Sequence, residues 1–427
     1  MDPEPTARGR VSRRTFLAGA AGAGVGIAAG AGVAAGIDRK GDASAPAAAG
    51  SAASQVVPFR GEHQAGIATA VQERLYFAAF DLTTTKREDV ASLLQKWTAA
   101  AGRMCAGEPA ADIGGDPVPA PGDSGEALGL AASRLTVTFG LGPGLFEKDS
   151  ADRYSLASRR PDALVDVPSF ASDALDPAIC GGDLCVQACA DDPVVAFHAV
   201  RNLARVADGA AVLRWAQAGF GRTSSTTRAQ TTERNLMGFK DGTNNIKAED
   251  AAAMAQHVWV ADDGPAWMRG GSYMVTRRIR MRIEAWDDDS LGDQERRVGR
   301  AKDTGAPLSG DREFDPVDLD ATVQGRLVIP ENAHIRVASP QQNGGARILR
   351  RGYSFSDRID GAGEIDAGLF FICFQRDPRS QFIAIQRQLA KSDALNLYLV
   401  HTGSAIFACP PGAAADGDWI ARALFEG

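Results

Sequence analysis

Residues 182–208 read GDLCVQACADDPVVAFHAVRNLARVAD. The opening, 182–190, is a short apolar run bounded by turn and acidic residues, and it predicts a strand. Asp192-Pro193 then offers an N-cap followed by proline at the first helical position, so 192–208 predicts a helix. Upstream, 133–140 (SRLTVTFG) predicts another strand. Residues 90–101 predict a helix with Val90, Leu93, Leu94 and Trp97 on one face. The alternating run 74–80 (RLYFAAF), after a turn near Gly61, predicts the first strand. The Gly-, Pro-, Ala- and Asp-rich stretch 106–126 predicts a loop. Strand, helix, strand, strand, helix in that order implies an α+β layer with a mostly antiparallel sheet.

The second half carries the same theme. Residues 272–284 (SYMVTRRIRMRIE) alternate apolar and basic side chains and predict a half-buried strand. Residues 287–318 are polar and rich in Gly and Pro, a long excursion of the kind that has a functional reason. Residues 368–375 (GLFFICFQ) predict a central strand and 379–389 an amphipathic helix. No sequence repeat is visible, yet the order of elements allows two structurally duplicated halves.

The chain has 427 residues, 44% hydrophobic and 23% charged, which are globular values. They exclude a mostly disordered chain, a collagen-like repeat and a multi-span membrane protein. The net charge of −7 disfavours nucleic-acid binding, because phosphate recognition needs a basic face. Six cysteines are too sparse for a disulfide framework. Residues 15–37 carry no charge and are mostly Gly and Ala, and Arg13-Arg14 precede Phe16-Leu17. That layout predicts a twin-arginine export signal with its linker over 1–53, rather than a membrane anchor. No Cys precedes Cys105, which excludes a lipid-modified Cys after the signal. Removing 1–53 takes away a net +2 and leaves about −9. The twin-arginine route carries folded proteins, so a cofactor loaded before export to the periplasm or outside is expected.

The densest chemical cluster is Arg234-Asn235-Leu236-Met237-Gly238-Phe239-Lys240-Asp241-Gly242-Thr243-Asn244-Asn245. Gly238 and Gly242 let the backbone turn tightly and bring the Asp241 carboxylate into a cleft. An ordinary Asp-Gly turn is the plainer alternative. A second cluster is His334-Ile335-Arg336, with Arg350-Arg351-Gly352-Tyr353 further on. Cys180, Cys185 and Cys189 are spaced C-x4-C-x3-C. A metal or iron–sulfur site is one reading. Buried free thiols are the other and the expected one, because the even separation of Cys185 and Cys189 puts both on one side of a strand. Cys373 lies in another strand core. His63, His198, His257 and His401 are expected to be structural, the last three lacking a paired acid or a ligand-like neighbour.

Taken in order, these pieces resemble the dye-decolourising peroxidase family across about the whole chain after residue 53. The residues that carry the resemblance are Gly61-Glu62-His63-Gln64-Ala65-Gly66-Ile67, Gly182-Asp183-Leu184-Cys185-Val186-Gln187, Gly238-Phe239-Lys240-Asp241-Gly242-Thr243, His257-Val258-Trp259-Val260, Gly270-Gly271-Ser272-Tyr273, His334-Ile335-Arg336 and Arg350-Arg351-Gly352-Tyr353. With the export signal and 290–295 (SLGDQE), the exported deferrochelatase/peroxidase subgroup is the most similar. The resemblance implies two ferredoxin-like domains with antiparallel sheets, an N-terminal one over 54–225 and a haem-binding one over 226–427. It implies haem b and hydrogen peroxide. It further implies His334 as proximal iron ligand, with Asp366 as a partner for its second nitrogen. Asp241 becomes the distal acid/base group and Arg350 the distal arginine, with Arg351 as the alternative. Arg336 is expected at a haem propionate, and Gly242, Thr243 and Phe371 around the cofactor.

In that scheme Asp241 moves a proton between the peroxide oxygens, and Arg350 stabilises charge on the departing one. A carboxylate ionises several pH units below a histidine, so activity is expected to persist into acid and to fall as Asp241 protonates. Trp259, Trp267, Trp286 and Tyr353 are candidate electron relays for large dyes, with core packing as the plainer role. The reductant is a dye, a phenolic compound or ferrous iron. Release of iron from haem with the porphyrin intact, in an iron-uptake system with its partners, is the alternative function, and a non-catalytic haem carrier is the third. The distal pair argues against the carrier. Family analogy points to a homo-oligomer.

Overall fold

The computed structural model describes residues 55–114, 118–171 and 173–426. The expected export signal and linker, 1–53, lie outside the described residues. In the first half, β1 (Arg74–Leu82), β2 (Thr136–Leu141), β3 (Leu184–Ala190) and β4 (Ala211–Arg222) form an antiparallel sheet in the order β2-β3-β1-β4. In the second half, β5 (Ser272–Met281) is followed by a small hairpin, β6 (Thr322–Val323) and β7 (Arg326–Leu327), and by β8 (Leu349–Arg350). Strands β9 (Tyr353–Ile359), β10 (Ile365–Gln375) and β11 (Leu399–Cys409) complete a sheet in the order β11-β5-β10-β9, with β8 beside β10. Numbered within each half, both sheets have the strand order 4-1-3-2 of a ferredoxin-like unit. The fold is α+β, and the halves duplicate each other in topology without a sequence repeat.

The two sheets join at their edges, β4 to β9 and β2 to β11, and so close into an eight-stranded barrel. Strand periodicity sorts the side chains. Leu75, Phe77 and Ala79 of β1 face the barrel interior with Phe370, Ile372 and Phe374 of β10 and Phe407 of β11. Ala78, Phe80 and Leu82 face outward into a second core beneath α1 (Arg87–Cys105) and α2 (Pro193–Val206). Asp192 caps α2 by accepting from the Val194 amide at 2.7 Å and the Val195 amide at 3.4 Å. Cys185 and Cys189 are buried on the interior side, and Cys373 is buried on β10, all three as free thiols. Burial pushes the Cys185 and Cys373 thiols far above their ordinary range, which makes them inert.

Strand β5 is more buried than its alternation predicts. Arg277 is fully buried and Arg278 nearly so. Arg277 is held by Asp173, and Arg278 donates to Asp357 at 2.7 Å and Asp366 at 3.0 Å and lies 4.0 Å over the Phe355 ring. A period-two pattern reports which residues share a face, and a salt bridge brought from a distant loop lets a charged face be buried.

His198 also departs from expectation. Its ring nitrogens lie 3.3 Å from Asp123 and 3.5 Å from Glu126, so it does have paired acids. They come from the Gly- and Pro-rich loop, which folds back over α2, a closeness that sequence neighbours do not reveal.

Candidate active site

The outer face of the second sheet carries the chemistry. Arg350 on β8 stands opposite Cys373 of β10, and opposed residues of an antiparallel pair share a face. Phe371, two residues along, shares that face and packs against Phe382 with ring centroids 6.0 Å apart. Three helices lie on this side: α3 (Leu291–Val298) within the excursion, the single turn α4 (His334–Val337), which His334 opens, and α5 (Phe382–Ser392), which Phe382 begins.

Asp241 sits in a loop set by Gly238 (φ +83°) and Gly242 (φ +96°). A Cβ on Gly242 would come within 3.0 Å of the Ser224 backbone, so the turn needs glycine for space as well as for torsion. Its carboxylate meets the arginine of the second cluster: Arg350 Nη1 donates to Asp241 Oδ1 at 2.6 Å. Asn235 Nδ2 donates to the other oxygen at 3.3 Å. Asn245 fixes Arg350 from behind. Its side-chain amide donates to the Arg350 carbonyl at 2.8 Å and accepts from the Arg350 amide at 2.8 Å. Arg351 points elsewhere, fully buried and donating to the Thr69 carbonyl and to Gln72. Of the two arginines, only Arg350 faces Asp241.

His334 Nδ1 lies 2.6 Å from Asp393 Oδ2. The other Asp393 oxygen accepts from the Leu395 amide at 2.9 Å, so the carboxylate is fixed by the turn that follows α5. Burial opposes a charged imidazole here, but Asp393, by its charge and its hydrogen bond, holds the His334 pKa above the ordinary value; the charge of Asp241 adds to this and that of Arg350 opposes it. His334 thus lies within electrostatic reach of Asp241 and Arg350. A third of its side chain (33%) remains accessible.

One expected role is corrected. Asp366 does not reach His334; it is tied to Arg278 on β5, and Asp393 takes its place. The Arg336 guanidinium is anchored through two of its three nitrogens. Its Nε and Nη2 donate to the Ile329 carbonyl at 3.2 and 2.7 Å, and Nη2 also reaches the Leu319 carbonyl. It clamps the chain around the small hairpin, because an arginine buried this deeply takes the nearest carbonyls. Thr243 spends its hydroxyl on Glu313 at 3.1 Å. Asn235 and Asn245 stood at the ends of the quoted cluster, and only their fold partners reveal their roles. Asp393 carried no local signal. Trp286 and Tyr353 are fully buried and Trp267 nearly so, whereas Trp259 is half-buried and stacks on His63 at 3.8 Å.

A separate cleft of about 630 Å³, lined by residues including Arg160, His257, Tyr273 and Arg379, includes none of these groups. It is polar and open, and the distal pair and His334 are the better candidate site.

Among the described residues no cluster of three His, Cys, Asp or Glu side chains could hold a bare metal ion. A single imidazole with a carboxylate-anchored second nitrogen is the donor set that suits an iron already held by a porphyrin.

The barrel of paired ferredoxin-like sheets matches a known class. Models described as Dyp-type peroxidase, N-terminal and C-terminal, match residues 64–221 and 232–414. The chain belongs to the Dyp-type peroxidase family and is a peroxidase, an oxidoreductase of a family whose cofactor is haem. It is 40% identical over 447 aligned residues, spanning 100% of both chains, to a dye-decolorizing peroxidase of Thermobifida fusca. It is 36% identical to a deferrochelatase of Shigella flexneri, covering 86% of this chain and 87% of that one. A Dyp-type peroxidase of Streptomyces coelicolor superposes with a TM-score of 0.81 at 44% identity, covering 88% of this chain and 99% of the other. The ferric form of DtpA from Streptomyces lividans matches with the same score, identity and coverage.

Proposed function

We propose that this chain reduces hydrogen peroxide at haem b and oxidises a small-molecule reductant, with His334 as iron ligand, Asp241 as acid/base group and Arg350 as electrostatic partner. The observation that carries this reading is the 2.6 Å contact between Asp241 and Arg350, with the Asp393-anchored His334 within electrostatic reach of both. Bound haem would supply the iron at which peroxide is reduced and from which oxidising equivalents pass to the reductant. Asp241 would take a proton from one peroxide oxygen and return it to the other, which leaves as water. Arg350 donates to that oxygen as negative charge builds on it, and holds Asp241 in line beforehand. Asp393 keeps the proton on His334 Nδ1, leaving Nε2 with its lone pair for the metal. Phe371 and Gly242 shape the wall. The division into 54–225 and 226–427, supported by the two family models, and export by the twin-arginine route, supported by Arg13-Arg14, belong to the same proposal, as does a homo-oligomer by family analogy alone.

The test is spectroscopic and kinetic. The haem-loaded protein is expected to lose its histidine-ligated spectrum in His334→Ala, and to lose about 10²–10⁴-fold in peroxide rate in Asp241→Asn. An unchanged iron spectrum in the first variant overturns the ligand assignment, and a full rate in the second overturns the acid/base assignment. The deferrochelatase relatives favour a second reading, release of iron from haem. Product analysis after incubation with haem decides it: free protoporphyrin supports release and intact haem rejects it.

A further inference from the structure

The loop that carries Asp241 is backed along its length by the excursion 287–318. Trp286, just before it, donates from its indole nitrogen to the Met237 carbonyl at 3.0 Å and meets the Phe239 ring edge-on at 5.9 Å. Arg234 donates to the carbonyls of Lys302 and Asp303. The fit is close in both directions. A Cβ on Gly238 would lie 2.7 Å from the Lys302 side chain, and a Cβ on Gly305 would lie 2.7 Å from that of Lys240. The end of the excursion then supplies one carboxylate, Glu313, whose side chain is 11% exposed. One oxygen forms an ion pair with Lys240 Nζ, and the other accepts from Thr243 Oγ1 at 3.1 Å. Lys240 precedes Asp241 directly and Thr243 follows it by two residues. Arg300 in turn fixes the backbone at Glu313, donating to the Glu313 carbonyl at 3.0 Å and the Gly305 carbonyl at 2.7 Å.

We propose that Glu313 is a positioning residue for peroxide reduction: by gripping Lys240 and Thr243 it holds the backbone of Asp241 from both sides and sets where the distal carboxylate stands. The inference rests on the reading of Asp241 as the acid/base group. Glu313 touches neither Asp241 nor Arg350 directly, so it acts through the loop. Burial alone would favour the neutral acid, but Lys240, Thr232 and Thr243 outweigh it and hold the Glu313 pKa below the ordinary value, so the grip stays ionic. A displacement of about 1 Å at a reacting group can cost on the order of 10²-fold. The excursion thus acts as a mould for the distal loop.

The test is a double-mutant cycle on the haem-loaded full chain, reading the second-order rate with hydrogen peroxide, the KM for a dye and amide exchange over 235–245. Glu313→Gln keeps the shape and the Thr243 contact but removes the ion pair. It is expected to lower the peroxide rate about tenfold, leave the dye KM unchanged and speed exchange at the amides of Asn235 and Asp241, which bond to Phe239 and Glu233 carbonyls. In an Asp241→Asn background the same change is expected to add less than about twofold, because the group being positioned is gone. A wild-type rate in Glu313→Gln overturns the proposal, as does an equal further loss in both backgrounds. A wild-type rate in Asp241→Asn alone would instead sink the acid/base reading beneath it. Glu313→Asp, which keeps the charge, is expected to recover part of the rate, and a loss as large as that of Gln counts against positioning.

Discussion

The two sheets share one topology and differ in what covers their outer faces. The first sheet presents Phe80, Val137, Phe139 and Val186 to α1 and α2, and that layer is mainly apolar. The second presents Arg277, Arg350, His401 and Ser404, with Phe371 and Leu369 between them. Arg277 lies opposite Phe371 and is held by Asp173, Ser404 and His401. One half thus gains stability from apolar burial, while the other accepts charged and polar groups on its face. Duplicating a stable unit lets one copy hold the fold while the other departs from an apolar face.

The largest effect should come from breaking the apolar face. Trp97 is fully buried, stacks near Phe139 at 5.5 Å and donates to the Leu203 carbonyl at 2.8 Å. Trp97→Ala is expected to cost about 3–5 kcal/mol in urea unfolding, while the peroxide rate per folded molecule stays near wild type. A selective loss of rate without loss of stability would contradict the division of labour. On the polar face the expectation reverses. Asp393→Asn should weaken haem retention or peroxidase activity by about 10–100-fold, with a much smaller change in unfolding midpoint than Trp97→Ala produces.

The smallest effect is a pH dependence. Burial and the nearby Arg277 charge lower the His401 pKa from its ordinary 6.5 to about 3. The unfolded chain therefore binds a proton that the folded chain refuses. The stability contributed by neutral His401 is fully present above pH 6.5 and is lost as pH falls toward about 3. His401→Gln should flatten the fall in urea midpoint between about pH 7 and pH 4. An identical fall in both proteins would show that the cost of acid lies elsewhere.

Much of this was legible in sequence. Strands β1 to β3 and helices α1 and α2 follow from local periodicity and from the Asp192-Pro193 cap. Asp241 and Arg350 come from the family resemblance, and the structure joins them although their numbers differ by 109. What failed depended on distant chain. Asp393 reaches His334 from beyond α5, so Asp366 was chosen for want of any local mark. Arg336 anchors Nε and Nη2 on carbonyls of Ile329 and Leu319, partners that no local sequence mark reveals. His198 finds its acids in a loop that reads as featureless. Barrel closure left no trace either, since edge pairing is a property of two sheets meeting.

That closure has a mechanical consequence. The seams are thin: Leu141 faces Ala408 at one, and Phe220 and Arg222 face Ser354 and Tyr353 at the other. Pairing within each half is far longer. A load on the barrel would part it along these two lines, like a cask splitting between staves. The fully buried rings of Phe77, Phe407 and Tyr353 inside, and not the backbone ladder, are then what resists opening.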